Sequence, residues 1–326
     1  KLNDYKYKET PILIASFNFP YMIRQLKKYN VSKNVLTCEF LFANTDINLE
    51  DMNSHWPQSY NWPPVRTKEQ IDLYIYSVLV QKEKSKIKLN SLDLVLTEKC
   101  TLKCVDCSNL MQYYAKPVDE DFKILTNSLE KFINSVDYIN EIRIIGGEPL
   151  IYKKIDQVLK QLLSFDNYGK IHIYTNGTII LKEDKMKVFC NEKVLFRISD
   201  YGEYSRHVKR LEESLKKLKV AYFTERITRW QDCAKIEYHE RTENLTRHIF
   251  GNCCVNQCIT LLHGKIYLCP FAAHAENLHA IPKNSEDSIT LANYSTNELK
   301  ELIYNLYFKK EKVDFLDFPN LVRFNP

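Results

Sequence analysis

Hydrophobic positions recur along this chain with two periods that alternate. "SLDLVLT" (91–97), "EIRII" (141–145), "KIHIYT" (170–175), "VLFRIS" (194–199) and "VAYFTE" (220–225) are short apolar runs bounded by turn residues, and they predict five strands. Between them the apolar spacing lengthens to three and four. A helix is predicted from Asp119 with Phe122, Leu125, Leu129, Phe132 and Ile133 on one face, and further helices over 153–163 and 207–219. Strand, helix, strand, at a pitch of roughly 25–45 residues, predicts βα units in a parallel sheet or barrel.

The flanking segments read differently. "PILIAS", "PYMIRQLKKYNV" and "VLTCEFLF" predict strand, helix, strand, a Rossmann-like fragment. No G-x-G-x-x-G accompanies it, so nucleotide binding is not supported there. A loop rich in proline and tryptophan (55–64) leads into a helix that Thr67 and Gln70 would cap, with Ile71, Tyr74, Ile75 and Val78 on its apolar face. This α/β unit reads as a packing or dimerisation element, so a homodimer is expected. Beyond the βα region, "ITLLHGKIYL" predicts a β-hairpin around His263, Gly264 and Lys265. "STNELKELIYNLYF" predicts an amphipathic helix lying over the barrel. The predicted division is 1–85, 86–228, 229–290 and 291–326.

Composition narrows the class. With 44% hydrophobic and 27% charged residues in 326, the chain is an ordinary globular protein. Its net charge of +5 comes from lysine clusters broken by acidic and apolar residues, the pattern of solvated faces and not of a nucleic-acid surface. No apolar run reaches ~18 residues, so no membrane span is expected. Ten cysteines gather mainly at 100–107 and 253–269. A chain this large needs no disulfide staples, and such clustering in a reducing compartment points to metal. A cytoplasmic protein is expected. Cys38 and Cys190 lie in apolar runs and read as core residues.

Four unusual stretches fall at strand ends. "CTLKCVDC" (100–107) follows the first predicted strand, GGEP the second and TNG the third, and Ser199-Asp200-Tyr201 ends the fourth. In parallel sheets and barrels ligands collect at the carboxyl ends of strands, so these stretches predict one site. A structural zinc or an ordinary iron–sulfur cluster takes four protein ligands. Three cysteines spaced C-x3-C-x2-C, with no fourth nearby, would leave one iron of a four-iron cube open.

CxxxCxxC together with GGEP resembles the radical S-adenosylmethionine (SAM) enzymes, over about residues 90 to 290. The resemblance implies a partial (β/α)6 barrel and a [4Fe-4S] cluster held by Cys100, Cys104 and Cys107. The open iron would chelate the amino and carboxylate groups of SAM. One electron, from a donor such as flavodoxin or ferredoxin, would cleave the sulfonium to methionine and a 5′-deoxyadenosyl radical. Gly146 and Gly147 would let backbone approach the methionine moiety. The Glu148 carboxylate would accept from its ammonium group, and Pro149 would hold Glu148 extended. Asn176 and Ser199 are candidates for the carboxylate and ribose hydroxyls, with ordinary turn and strand-end roles as the alternative. The family commonly has an aromatic residue where Asp106 stands, so the adenine contacts made there are open.

The hairpin flanked by cysteines looks like a Twitch extension, the smaller relative of SPASM. That likeness implies one auxiliary [4Fe-4S] cluster at the barrel mouth, held by Cys253, Cys258 and Cys269. Cys233 or Cys254 would be the fourth ligand, or the position would again stay open, and structural zinc is the alternative. Two activities fit. One is dehydrogenation, epimerisation or dehydration of a small polar substrate such as a sugar, amino sugar or nucleotide sugar; Cys254 or Cys233 would donate hydrogen in an epimerase. The other is modification of a ribosomally made peptide. A non-catalytic iron–sulfur or zinc protein is the third class, and it would need neither Glu148 nor the glycine pair.

Overall fold

The computed structural model describes residues 86–228, 235–236, 239–253, 255, 258–281 and 287–309, with the backbone of 12–14, 35–37 and 60–61. Two compact units span Lys1–His55 and Trp56–Pro326. In the first, β1 (Ile12–Ile14) pairs in parallel with β2 (Val35–Thr37), as a strand–helix–strand unit requires. Cys38, Cys233, Cys254 and the expected helix through Ile71 and Val78 lie outside the described residues.

The second unit is built on one open nine-stranded sheet. Its parallel strands are β4 (Lys88–Val95), β5 (Tyr138–Ile145), β6 (Tyr168–Thr175), β7 (Val194–Asp200) and β8 (Ala221–Arg226), adjacent in sequence order. The five expected strands are therefore present, most of them slightly longer than the apolar runs suggest. The short β3 (Tyr60–Asn61) adds antiparallel to β8 at one edge. On the other side β9 (Cys258–Leu262) lies parallel to β4, followed by antiparallel β10 (Lys265–Tyr267) and β11 (Ser288–Thr290). Six parallel strands thus run in the order β9-β4-β5-β6-β7-β8, and the sixth sits beside the first. The sheet does not close, the topology of a partial barrel.

Helices cover one face. α1 (Phe122–Ile133), α2 (Ile155–Leu162), the short α3 (Glu183–Met186) and α4 (Val208–Lys217) are crossovers between strands. Leu125, Leu129, Phe132, Val158, Leu159, Leu162, Leu211 and Leu215 are buried with Ile142, Ile144, Ile171 and Ile173 in one core. α1 begins later than its apolar spacing suggests. Asp121 caps it, accepting from the N–H groups of Lys123 and Ile124 at 2.9 and 3.0 Å, while Asp119 bridges to Thr97 and accepts from Lys99 Nζ at 2.8 Å. α5 (Glu243–Asn252) and α6 (Pro270–Asn277) flank the hairpin, and Ser295 and Glu298 form a capping box on α7 (Thr296–Tyr304). Leu299, Ile303, Leu306 and Tyr307 join the same core, so the terminal helix packs against the sheet unit as expected. Cys190 is exposed, not core: its thiol reaches Leu218 O at 3.4 Å. Among the described residues no helix is long and apolar enough to cross a membrane.

Candidate active site

Strand register decides which side chains share the face opposite the helices. Asp93 stands beside Arg143, and Arg143 beside His172; Glu141 stands beside Lys170, and Tyr174 beside Arg197. The apolar residues between them point into the helical core. Above this charged face, at the carboxyl ends of the strands, a cavity of about 280 Å³ is lined by Cys100, Cys104 and Cys107 together with Asn109, Gly146, Gly147, Asn176, Ser199 and Tyr201. Asp93, Arg143 and Tyr174 continue its wall down the sheet. The residues expected around SAM, other than Glu148, therefore line one cavity.

The cysteine loop is tied down on both sides. Gly147 N–H donates to Thr97 O and Glu148 N–H to Lys99 O, each at 2.8 Å. A Cβ at Gly146, whose φ is +141°, would collide with Thr97 O, and one at Gly147 would collide with Lys99 O. The close approach that the glycine pair permits is thus first to the cysteine loop itself. Asn109 Nδ2 donates to Gly146 O at 2.8 Å from the far side of the loop. Asn176 donates through Nδ2 to Thr101 Oγ1 at 3.0 Å, and its Oδ1 accepts from Thr178 N–H at 3.0 Å.

Glu148 is extended, at φ −112° and ψ 106°, as the following proline requires. Its carboxylate is fully buried and does not line the cavity. It accepts from Thr175 Oγ1 and Asn176 N–H at 2.8 Å each and from Leu150 N–H at 3.1 Å. Burial pushes its pKa up to about 7 against those three donors. The carboxylate therefore locks the GGEP turn to the end of β6.

The three thiols fit an iron–sulfur cluster. Burial pushes Cys100 up to about 11, with Glu148, Cys107 and Cys104 adding to it, and burial also raises Cys104 and Cys107. A bound metal would favour the thiolate form that burial disfavours. Among the described residues no three His, Cys, Asp or Glu side chains converge on a single metal ion. A four-iron cube instead spreads its thiolates over different irons.

The second cysteine group lies elsewhere than expected. Cys258 is level with Ser91 and Thr260 with Asp93, so Cys258 stands six residues, about 20 Å of strand, below Thr97. The pairing of Lys265 with Leu262 and Tyr267 with Thr260 carries Cys269 back down to the level of Cys258. These two cysteines sit level with the middle of β4 and not at the rim beside Cys100, although Val255 and Pro270, which flank them in sequence, line the same cavity. A parallel β9 imposes this, because it brings the hairpin turn, and not its cysteine ends, up to the rim. The Cys258 thiol contacts Arg143 and Ser91. Cys269 is buried and accepts from Ala272 N–H at 3.5 Å as the cap of α6, and half-buried Cys253 ends α5.

The hairpin turn carries a group that sequence reasoning missed. His263 and Gly264 both have positive φ, +47° and +73°, as a two-residue turn between right-twisted strands requires. His263 Nε2 lies 2.9 Å from Glu98 Oε1 and Nδ1 lies 3.0 Å from Glu120 Oε1, so both nitrogens donate and the ring is charged. The hydrogen bonds it donates to the two carboxylates push its pKa up to about 10. Asn277 Nδ2 donates to the same Glu98 oxygen at 2.7 Å.

Residues 94–225 match the family model of the radical SAM superfamily. The chain carries a radical SAM domain. That family implies a [4Fe-4S] cluster and SAM as cofactors. The chain is 26% identical over 162 residues to molybdenum cofactor biosynthesis protein 1 of Dictyostelium discoideum, covering 47% of this chain and 25% of that protein. It is 30% identical over 117 residues to a GTP 3′,8-cyclase of Clostridium botulinum (strain Okra / Type B1), covering 31% and 33%. The matched region thus spans a quarter to a third of these relatives. Among solved structures, BtrN in complex with AdoMet and 2-DOIA is similar at a TM-score of 0.44 and 15% identity, over 70% of this chain and 84% of that one. Native anSMEcpe with bound AdoMet gives 0.45 and 15%, over 70% and 87%.

Proposed function

We propose that the protein is a radical SAM enzyme that removes a hydrogen atom from a small polar substrate of sugar type: a sugar, amino sugar or nucleotide sugar. The observation that carries this reading is the cavity in which Cys100, Cys104 and Cys107 meet the glycine pair, Asn176 and Ser199, directly above a charged sheet face. When bound, the cluster and SAM supply the electron and the 5′-deoxyadenosyl radical. The remaining work falls to the chain. Gly146 and Gly147 would offer backbone to the methionine end of SAM, Asn176 and Ser199 would serve its carboxylate and ribose, and Glu148 fixes the turn that holds them. The polar face below presents the substrate to the cavity.

Cys258 and Cys269, with Cys253 and either Cys233 or Cys254, are the proposed ligands of an auxiliary [4Fe-4S] cluster. Its place deeper along the strands, with Val255 and Pro270 beside it lining the same cavity, suits oxidation of a substrate held in that cavity. We therefore favour a dehydrogenase over an epimerase or dehydratase. The alternative, peptide modification, is weakened by the strand–helix–strand order that the sequence of residues 1–85 predicts, which does not resemble the winged-helix peptide-binding domain common in maturases.

Anaerobic incubation with SAM and dithionite tests the reading. The protein should release 5′-deoxyadenosine, and Cys100→Ala, Cys104→Ala or Cys107→Ala should each abolish release while the fold survives. Undiminished release from any of the three variants would overturn the assignment.

A further inference from the structure

The loop that carries the three cysteines has two feet, and both are held from outside the cavity. Glu98 stands two residues before Cys100 and Tyr114 seven after Cys107, and both side chains are buried. A two-way bond closes the base of the loop: Glu98 N–H donates to Val118 O, and Val118 N–H donates to Glu98 Oε2, each at 2.9 Å. The other carboxylate oxygen, Glu98 Oε1, accepts from Asn277 Nδ2 at 2.7 Å and lies 2.9 Å from His263 Nε2. Asn277 Nδ2 donates its second proton to Tyr114 Oη at 2.9 Å. That leaves the tyrosine hydroxyl proton for Nδ1 of the fully buried His274, 2.8 Å away. One side-chain amide at the end of α6 thus joins the two limbs of the cysteine loop.

Glu98, Tyr114, Asn277 and His274 do not line the cavity, so they act on it only through the loop. Gly147, Glu148, Asn109 and Asn176 hold that loop from the strand ends. Asn277 holds it from the hairpin side, at the end of a helix that Cys269 caps and whose first residue, Pro270, lies in the cavity wall. We propose that Asn277, through Glu98 and Tyr114, is a positioning residue that keeps the cysteine loop in the pose in which the open iron meets SAM. This rests on the radical SAM reading above, because it takes Cys100, Cys104 and Cys107 as the cluster ligands. Without the tie, the two limbs lose their shared donor, and the loop has to be ordered when SAM binds. The ordering costs affinity.

The test is equilibrium dialysis of SAM against the anaerobically reconstituted full chain, with electron paramagnetic resonance of the reduced protein recorded on the same samples. Asn277→Leu removes both donors at similar volume, and Tyr114→Phe removes only the hydroxyl. Each should raise the SAM dissociation constant about tenfold, the order of one hydrogen bond, and alter the change that SAM makes in the cluster signal. Glu276→Ala is the control for stability alone. It lies on the same helix, but its Oε1 accepts from Lys265 Nζ at 2.8 Å and Tyr267 Oη at 3.0 Å, both on β10. That variant should lower the urea midpoint and leave SAM affinity unchanged. SAM affinity and signal at wild-type values in Asn277→Leu and Tyr114→Phe, or an equal loss of affinity in Glu276→Ala, would overturn the positioning role. If Asn277→Leu does not fold, Tyr114→Phe decides by the same measure. Wild-type protein that binds iron but no SAM removes instead the radical SAM reading on which the proposal rests.

Discussion

Single residues at this site work by holding other parts of the chain. Glu148 shows it most clearly. Its motif and its following proline were legible in the sequence, and so was its extended backbone. Its target was not, because the carboxylate reaches Thr175 and Asn176, 27 and 28 residues away, and only the tertiary fold brings them near. Glu148→Gln keeps the shape but turns one acceptor oxygen into a donor. Thr175 can rotate its hydroxyl to accept, but the Asn176 and Leu150 N–H groups cannot. The variant should therefore lose about 1–3 kcal/mol of stability, the cost of a buried hydrogen bond left unmade, read as a lower urea midpoint at unchanged slope. A midpoint equal to that of the wild type would show that the carboxylate does not hold the turn.

Among elements, the hairpin carries the largest difference between sequence and structure. Its strands and turn follow from the apolar alternation on either side of His263 and Gly264. Its pairing does not, since a parallel union of β9 with β4 joins segments that no local pattern relates. That union moves Cys258 and Cys269 down to the level of the middle of β4 and lifts His263 to the cysteine loop. The charged face was half legible. Asp93, Glu141 and Arg143, and Lys170 and His172, alternate with apolar residues at period two, yet short β-branched runs read as apolar strands when their polar positions are given no weight.

The His263 clamp makes a pH prediction. Its folded pKa of about 10 lies above the ordinary value of 6.5. Such a raised pKa contributes stability that is fully present below pH ~6.5 and is lost as pH rises towards 10. Wild-type protein should lose stability across that interval, and His263→Asn should flatten the decline. Identical slopes in pH-dependent urea unfolding would show that the clamp contributes no linkage.

Across the whole molecule, two cysteine groups adjoin one polar face: three cysteines at the carboxyl ends of the strands, and Cys258 with Cys269 level with the middle of β4. The sequence showed both groups and the βα order that builds the rim; the separation between them follows only from sheet topology. The central claim is that Cys100, Cys104 and Cys107 leave one iron open for SAM. Electron paramagnetic resonance of the anaerobically reduced protein, recorded with and without SAM, tests it most directly. The account predicts a reduced-cluster signal that changes when SAM is added, and whose SAM-sensitive component is missing from the Cys100→Ala/Cys104→Ala/Cys107→Ala variant. A signal indifferent to SAM, or one that keeps its SAM sensitivity in that variant, would contradict it.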